Sequence, residues 1–469
     1  MIPALSNANL TRLHPDLPKV LECIDAAGGR PYLVGGSVRD ALMGTDPEDL
    51  DIEVFGAPME KLEQELIRLF KVHWVGKSFG VLKVGGHPFD ISVPREETVT
   101  GPGHRDFDIR CDPELPLEKA AARRDFTINA IYWDLQEEAL VDPHGGLEDI
   151  RRRTLRHTSD KFAEDSLRVF RAMQFAARFG FEVHPSTVAL SASMSPDNLP
   201  RERVFGEFRK LILKGIRPSI GLNFLRDCGW IRIFPELKAL IGCDQDPHWH
   251  PEGDVWNHTL LCMDAFADAR TGDPAEDLIV GLAVLCHDMG KPVTSVDDDG
   301  RIRSPGHAEA GVPATLSFLS RLTEETVLLE AIPPLVAAHM RPAALYRDKS
   351  SDAAIRRLAL QVGRMDRLLR VCQADRRGRT GAVASEAFPE GDWITGRLSN
   401  LGLEKQKPRP IVQGRDLIQM GLSPSQAFSP LLDDCFQAQL DGVFEDHPGG
   451  LKFLQTLLSN KGLLPKTGA

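Results

Sequence analysis

The chain has 469 residues, with 56 Lys and Arg against 67 Asp and Glu, for a formal charge of −11. That length suits about three domains and cores that fold without a disulfide or metal staple, and 42% hydrophobic with 26% charged residues is an ordinary soluble globular make-up. Taken whole, the acidic balance argues against a nucleic-acid binder, because phosphate attracts basic proteins.

Met1 to Lys19 holds three prolines and no apolar core, so it does not read as a secretory signal. Short apolar runs at Tyr32–Val34, Asp51–Phe55, Val81–Val84, Phe89–Val93 and Ile128–Trp133 predict strands or strand ends, and Val38–Met43 and Met59–Phe70 predict helices. This is an α/β unit. From Ser159 the pattern becomes helical, over 159–179, 201–213, 219–229, 258–269, 276–288, 307–321 and 353–374. Thr98–Asp112 and Thr380–Pro408, rich in proline, glycine and charge, read as loops or linkers. No uncharged run approaches the ~18 residues of a membrane helix. The eight cysteines form no CxxC pair, as expected of reduced thiols in the cytoplasm.

The charge is uneven. Arg151 to Arg217 contains fourteen Lys/Arg and seven Asp/Glu, a local +7 that leaves −18 elsewhere.

Four segments carry chemistry. In Leu33–Asp40 (LVGGSVRD), Gly35 and Gly36 permit close backbone approach to a ligand, the helix start offers N–H groups to phosphate, and Arg39 suits a triphosphate clamp. Asp49 and Asp51 open a strand. Side chains two apart share a face, so paired carboxylates there call for a hard cation such as Mg²⁺, with Asp90 a candidate third. Arg124, Asp125 and Asn129 in RRDFTINA suit triphosphate and ribose contacts, and Asp142–Gly146 reads as a hinge-like turn. On the predicted 159–179 helix, Asp165 and Arg168 could read bases. Cytosine and adenine both pair an exocyclic amine with a ring-nitrogen acceptor. A fixed carboxylate and guanidinium would therefore accept C and A and leave unpaired groups against U and G. Arg171 lies on the same side.

These segments, with DPHGGLEDIRRRTLRH, EDSLRVFRAMQFAARFGF and PRERVFGEF, resemble in order and spacing the eubacterial-type CCA-adding tRNA nucleotidyltransferases and their poly(A) polymerase relatives, over about residues 30 to 215. The resemblance implies Asp49 and Asp51 as metal ligands, nucleotide contacts at Gly36, Arg39, Arg124 and Arg171, and base selection by Asp165 and Arg168. It also implies tRNA, CTP and ATP as partners. Gln174 stands where some members carry arginine. Thr98–Asp112 resembles the flexible loop of members that add the final A.

A second set follows: His258, His287-Asp288 at the end of an apolar run, His307, His339 and Asp375. Imidazole with carboxylate suits a divalent transition metal of the Ni, Mn or Co type. HDMGK, within the order H…HD…D, resembles the HD phosphohydrolase domain carried by multifunctional members. That implies a metal set of His258, His287, Asp288 and Asp375, a second-metal role for His307 and His339, and a phosphate contact from Lys291. The implied activity is metal-assisted hydrolysis of cyclic or terminal phosphates. His248 and His250, flanked by Pro and Gly, read as loop residues outside the set.

The expected architecture is an α/β nucleotidyltransferase head followed by an all-α neck, HD body and tail. Its expected segments are an extension over 1–25, head over 26–150, neck over 151–235, HD domain over 236–380 and tail over 381–469. The expected activity is template-independent CCA addition. The alternatives are an A-adding enzyme or poly(A) polymerase, an HD hydrolase whose head only binds RNA, and a non-catalytic tRNA binder. No membrane partner is expected, and the sequence does not specify an oligomeric state.

Overall fold

Leu50, Ile52 and Val54 alternate with Asp51, Glu53 and Phe55, so one side of this strand is fully buried and the other is not. A computed structural model describes residues 5–75, 80–99, 107–197, 199–381 and 387–463, in two units, Met1–Ile233 and Phe234–Ala469.

In the first unit, β1 (Arg30–Val34), β2 (Leu50–Phe55), β3 (Val72–Trp74), β4 (Val81–Val84), β5 (Phe89–Ser92), β8 (Tyr132–Asp134) and β9 (Ala139–Val141) form one sheet in the order β3-β4-β5-β2-β1-β8-β9. Within this sheet, among the described residues, only β2 and β5 pair parallel, and their register sets Asp51 beside Asp90. One face packs on a core that includes Leu33, Val38, Ile52, Ile91 and Trp133. β6 (Arg95–Val99) and β7 (Phe107–Cys111) pair separately as an antiparallel ribbon.

The helical part of this unit centres on Leu167–Phe179, which packs on Arg201–Lys214 and Pro218–Asp227. Phe170, fully buried, lies 6.1 Å from the Phe208 ring and 5.6 Å from Trp230, whose indole N–H donates to the Ser191 carbonyl at 2.8 Å.

The second unit is helical. Val255–Asp268, Pro274–Cys286 and Met365–Arg377 pack on one another, and Thr326–Ala338 packs on Pro274–Cys286 and His307–Leu322. A small separate core gathers Val412, Leu417, Leu431 and Leu454.

The structure departs from the sequence expectations at particular places. The expected 159–179 helix is a 3-10 turn, Asp160–Glu164, then extended Asp165, then the helix from Leu167. The expected strand over Ile128–Trp133 begins as a 3-10 turn, Thr127–Asn129, and becomes strand only at Tyr132. The single helix over 353–374 is two, Asp352–Val362 and Met365–Arg377, parted at Gly363 with φ +76°. Thr380–Pro408 is not a linker throughout, because it contains the helix Pro389–Leu401. Proline at its first position suits a helix start. Thr326–Ala338 holds Pro333 and Pro334 inside it, which hides it from a pattern reading. Within the expected Thr98–Asp112 loop, 107–111 is strand and 100–106 lies outside the described residues. Asp142, at the expected hinge-like turn, braces the start of the helix Gly146–Arg151. Its carboxylate accepts from the Gly146 and Leu147 amides, both at 2.8 Å.

Replacing Phe170 by alanine removes a fully buried ring between two aromatic partners. It is expected to lower the stability of the first unit by about 3–5 kcal/mol, read as the shift in its denaturant unfolding midpoint.

Candidate nucleotidyl-transfer and metal sites

Helix Gly36–Leu42 is tied to the acidic turn by Ser37. Its hydroxyl donates to the Asp49 carbonyl at 2.9 Å and accepts from the Asp51 amide at 3.1 Å. Gly35, at φ +67°, sits over the site, where a Cβ would lie 3.1 Å from Arg124 Nη1 and 3.6 Å from Asp51 Oδ2. The positive φ disfavours any side chain here, and a Cβ would also crowd the Arg124 tip.

A cavity of about 500 Å³ opens in this unit, lined by Asp51, Glu53 and Asp90 from the sheet and by Arg95, Arg123, Arg124, Arg168, Arg171 and Arg203, with Asp125 and Asp165 between. Asp51 has its carboxyl raised above the ordinary value. Desolvation is the main cause and the neighbouring Asp90 and Asp49 add to it, while Arg124 opposes. Two carboxylates side by side in register, beneath a glycine with no side chain to fill the space, fit a divalent cation. Lys83 meets Asp90 at 3.0 Å.

Arg124 is oriented from behind. Its guanidinium stacks 5.3 Å over the Tyr132 ring, and Glu53 Oε2 accepts from the Tyr132 hydroxyl at 2.9 Å and from Arg124 at 3.5 Å. Asp125 accepts from Arg171 Nε at 2.7 Å and from Asn129 Nδ2 at 2.8 Å, and Asn129 accepts from Arg39 Nη1 at 2.6 Å. Burial pushes the Asp125 carboxyl up, but Arg171 and Asn129 outweigh it and hold it below the ordinary value. Asp165 accepts from the Leu167 amide at 2.9 Å and from Arg203 at 3.2 Å. Arg168 donates to the Lys161 and Arg123 carbonyls at 2.7 and 2.8 Å.

Asp51, Asp90, Arg124, Asp125, Asp165, Arg168 and Arg171 therefore meet at one cavity, as the motifs anticipate. Others stand apart. Asp49 ends before the strand, with its side chain exposed, and acts on Asp51 through its charge. Arg39 is not poised to clamp a ligand. It is buried between Phe175 and Phe179, with ring distances of 5.2 and 4.8 Å, and donates to Asp40 and Asn129. Gly36 and Asn129 also lie outside the lining. Asp165 precedes the helix rather than sharing its face with Arg168. Glu53 and Tyr132 were missed, although Glu53 continues the Asp49, Asp51 alternation.

In the second unit, Asp288 is the centre of a buried cluster. Its oxygens lie 2.7 Å from Lys291 Nζ, 3.2 Å from His287 Nε2, 3.4 Å from His307 Nε2, 3.8 Å from His258 Nε2 and 3.9 Å from His339 Nε2. Asp375 Oδ1 is 3.1 Å from His258 Nε2. Nδ1 of His287, His307 and His339 each lies against a backbone carbonyl, at 2.7, 2.8 and 2.7 Å, so it must donate. Each ring then turns its Nε2 inward. His307 and His339 bring two such atoms within 3.2 Å, and His287 Nε2 completes no hydrogen bond. Facing lone pairs fit a shared cation, and rings fixed through Nδ1 are the usual support of metal-binding histidines. Burial, then the neighbouring His287, pushes His339 down to about 4, which keeps it neutral.

His258, His287, Asp288 and Asp375 thus come together from distant parts of the chain. Lys291 is not free for a phosphate here, because its ammonium is buried against Asp288 and Gln245 Oε1, the latter at 2.7 Å. His250 belongs near the centre after all. Glu252 accepts from it at 2.9 Å and from His258 Nδ1 at 2.8 Å. Burial opposes it, but the two histidines hold Glu252 far below the usual carboxylate range. Both sit in a loop, where no periodic pattern marks them.

Residues 31–156 match the poly A polymerase head domain, and 180–241 match the family described as the probable RNA and SrmB- binding site of polymerase A. The first unit therefore carries a polymerase-type nucleotidyltransferase head. The chain is 33% identical over 429 residues to a multifunctional CCA protein of Alkalilimnicola ehrlichii, covering 89% of this chain and 98% of that one. It is 34% identical over 395 residues to the multifunctional CCA protein of Nitrosococcus oceani, covering 81% and 92%. The chain belongs to the family of multifunctional CCA proteins. Its fold resembles the Bacillus stearothermophilus CCA-adding enzyme in complex with CTP, with TM-score 0.66, 22% identity and 95% and 97% of the two chains covered. It also resembles the Thermotoga maritima CCA-adding enzyme complexed with tRNA_CCA, with TM-score 0.58, 19% identity and 94% and 96% covered.

Because the folded state disfavours the charged form of Asp51, that residue lowers stability above its raised pKa, and the loss fades as pH falls through it. Because Asp51 is itself exposed to solvent, this cost is screened and small, and metal-free Asp51→Asn is expected to melt only slightly higher than the parent at neutral pH. The gain should vanish on acidification through the carboxylate range, as followed by thermal melts across pH.

Proposed function

We propose that the head cleft adds C, C and A to tRNA 3′ ends from CTP and ATP without a nucleic-acid template. The carrying observation is a single cavity that joins the Asp51–Asp90 pair to six arginines. Asp51 and Asp90, with the charge of Asp49 beside them, would hold Mg²⁺. When bound, that ion supplies activation of the attacking 3′-hydroxyl and charge neutralisation on the triphosphate. Arg124, aimed by Tyr132 and Glu53, and Arg171, aimed by Asp125, bind phosphate and ribose. Asp165 and Arg168 read the amine and ring nitrogen shared by cytosine and adenine. Full CCA addition is preferred over A-only or poly(A) synthesis on the names of the relatives.

The second unit carries a metal-dependent phosphohydrolase centre on His258, His287, Asp288 and Asp375, with Asp288 facing His307 and His339 as well. The ion would be a divalent transition metal and would supply Lewis acidity toward a phosphate ester. Residues 26–150 act as head, 151–235 as neck, 236–380 as HD domain and 381–469 as tail. The tRNA lies along the +7 segment from Arg151 to Arg217. No helix of the described residues is long and apolar enough to cross a membrane. A cytoplasmic place of action is proposed from the tRNA substrate.

Purified protein with Mg²⁺ should extend tRNA lacking its CCA end by two C with CTP alone and by CCA with CTP and ATP together, and should not extend it with UTP or GTP. Asp51→Ala should lose at least ~10³-fold in kcat, a few kcal/mol of transition-state stabilisation. No incorporation by the parent protein refutes the reading. Asp288→Ala should abolish metal-dependent ring opening of a 2′,3′-cyclic nucleotide to its monophosphate while leaving CCA addition intact. Affinity for tRNA should fall steeply with added salt; a footprint restricted to acidic surfaces contradicts the placement.

A further inference from the structure

We propose that Cys262 is a thiolate ligand of the histidine–aspartate centre and makes it selective for thiophilic divalent ions such as zinc or cobalt. This rests on the reading of that centre as a metal site.

His258 and Cys262 are four residues apart on the helix Val255–Asp268, so they share one face. Cys262 Sγ lies 3.4 Å from His258 Nε2, the atom that also faces Asp375 at 3.1 Å. Sulfur and nitrogen bound to one tetrahedral ion at ~2.3 and ~2.0 Å stand roughly 3.5 Å apart. One ligating atom from each of His258, Cys262, His287 and Asp375 falls within 4.8 Å of all the others, and all four residues are buried. An independent sign of a missing ligand is the buried His287 Nε2, which completes no hydrogen bond. The thiol itself has no strong alternative partner. Its approach to the Asp375 carbonyl is 3.8 Å, a weak sulfur contact. The neighbouring Asp288–His307–His339 set contains no sulfur. The thiol is thus positioned to distinguish the first set from the second.

Binding would exchange the thiol proton, released to solvent, for a sulfur–metal bond. Imidazole and carboxylate alone discriminate little among divalent ions except by geometry. An added thiolate raises the preference for zinc and cobalt over manganese and magnesium.

The test uses the full chain stripped of metal and titrated with cobalt(II). The expected result is a sulfur-to-cobalt charge-transfer band in the near ultraviolet. In Cys262→Ser the band should disappear while cobalt is still bound. Zinc affinity in that variant should fall by about 10–100-fold, the range seen when a partner of a metal site is lost, and manganese affinity should change much less. X-ray absorption of the zinc-loaded parent protein should show a sulfur neighbour at about 2.3 Å, which decides the matter even if the variant folds poorly. Bound cobalt without the band, a band unchanged in Cys262→Ser, or a zinc shell of nitrogen and oxygen alone overturns the role of Cys262 and leaves the metal centre standing. Failure of the parent protein to retain any cobalt or zinc overturns the metal centre itself, and this role with it.

Discussion

The cleft of the first unit depends on one buried carboxylate. Asp125 takes Arg171 on one oxygen and Asn129 on the other, and Asn129 in turn fixes Arg39 between Phe175 and Phe179. A charged group this deep is costly unless its lone pairs are met by donors of opposite charge. The network meets that condition and in doing so locks the helix Leu167–Phe179, which supplies Arg168 and Arg171, to the turn that follows Arg124. Removing the Asp125 carboxylate would leave Arg171 without its buried partner and Asn129 without its acceptor. Cleft geometry and local stability are therefore one property.

The second unit solves the opposite problem. Around Asp288 the surplus is of acceptors. Three rings turn Nε2 toward Asp288 because backbone carbonyls hold their Nδ1 atoms, and the nearest permanent cation is Lys291. Asp125 has donors enough without a ligand, whereas Asp288 sits among lone pairs that only a proton or a metal ion can reconcile. A polar cluster that is complete by itself rigidifies a fold. One that is incomplete marks a place where something binds.

The sequence made the ligand sets legible because both chemistries recur at fixed places in regular elements. Asp51 and Asp90 fall on strands of period two, and His258, His287 and Asp375 at or near helices. Direction was not legible. Arg39 follows the glycine pair where a phosphate clamp belongs, but its guanidinium turns back against rings on a distant helix. The helical periodicity around Asp165 is equally real on paper. The chain leaves the helix at that residue because its carboxylate caps the Leu167 amide, an alternative that a short acidic side chain offers the backbone. Proline misled twice, once as a helix start at Pro389 and once inside Thr326–Ala338, since its effect depends on whether its missing N–H is needed. Glu252 and Cys262 escaped because one lies in a loop and the other looks like a core residue.

The net charge of −11 describes neither site. Within the cleft, Asp51, Glu53 and Asp90 come from the seven-stranded sheet, while Arg95, Arg123, Arg124, Arg168, Arg171 and Arg203 come from outside it, with Asp125 and Asp165 held among them. That separation gives the cavity a polarity. A cation is favoured at the sheet end, and a polyanion is favoured where the arginines converge, because desolvated charges act over short distances. A triphosphate with its own metal ion satisfies both ends at once. Neither the ion nor the polyanion alone does, so the sorting of charge within the cleft, and not its sum over the chain, determines what the head can hold.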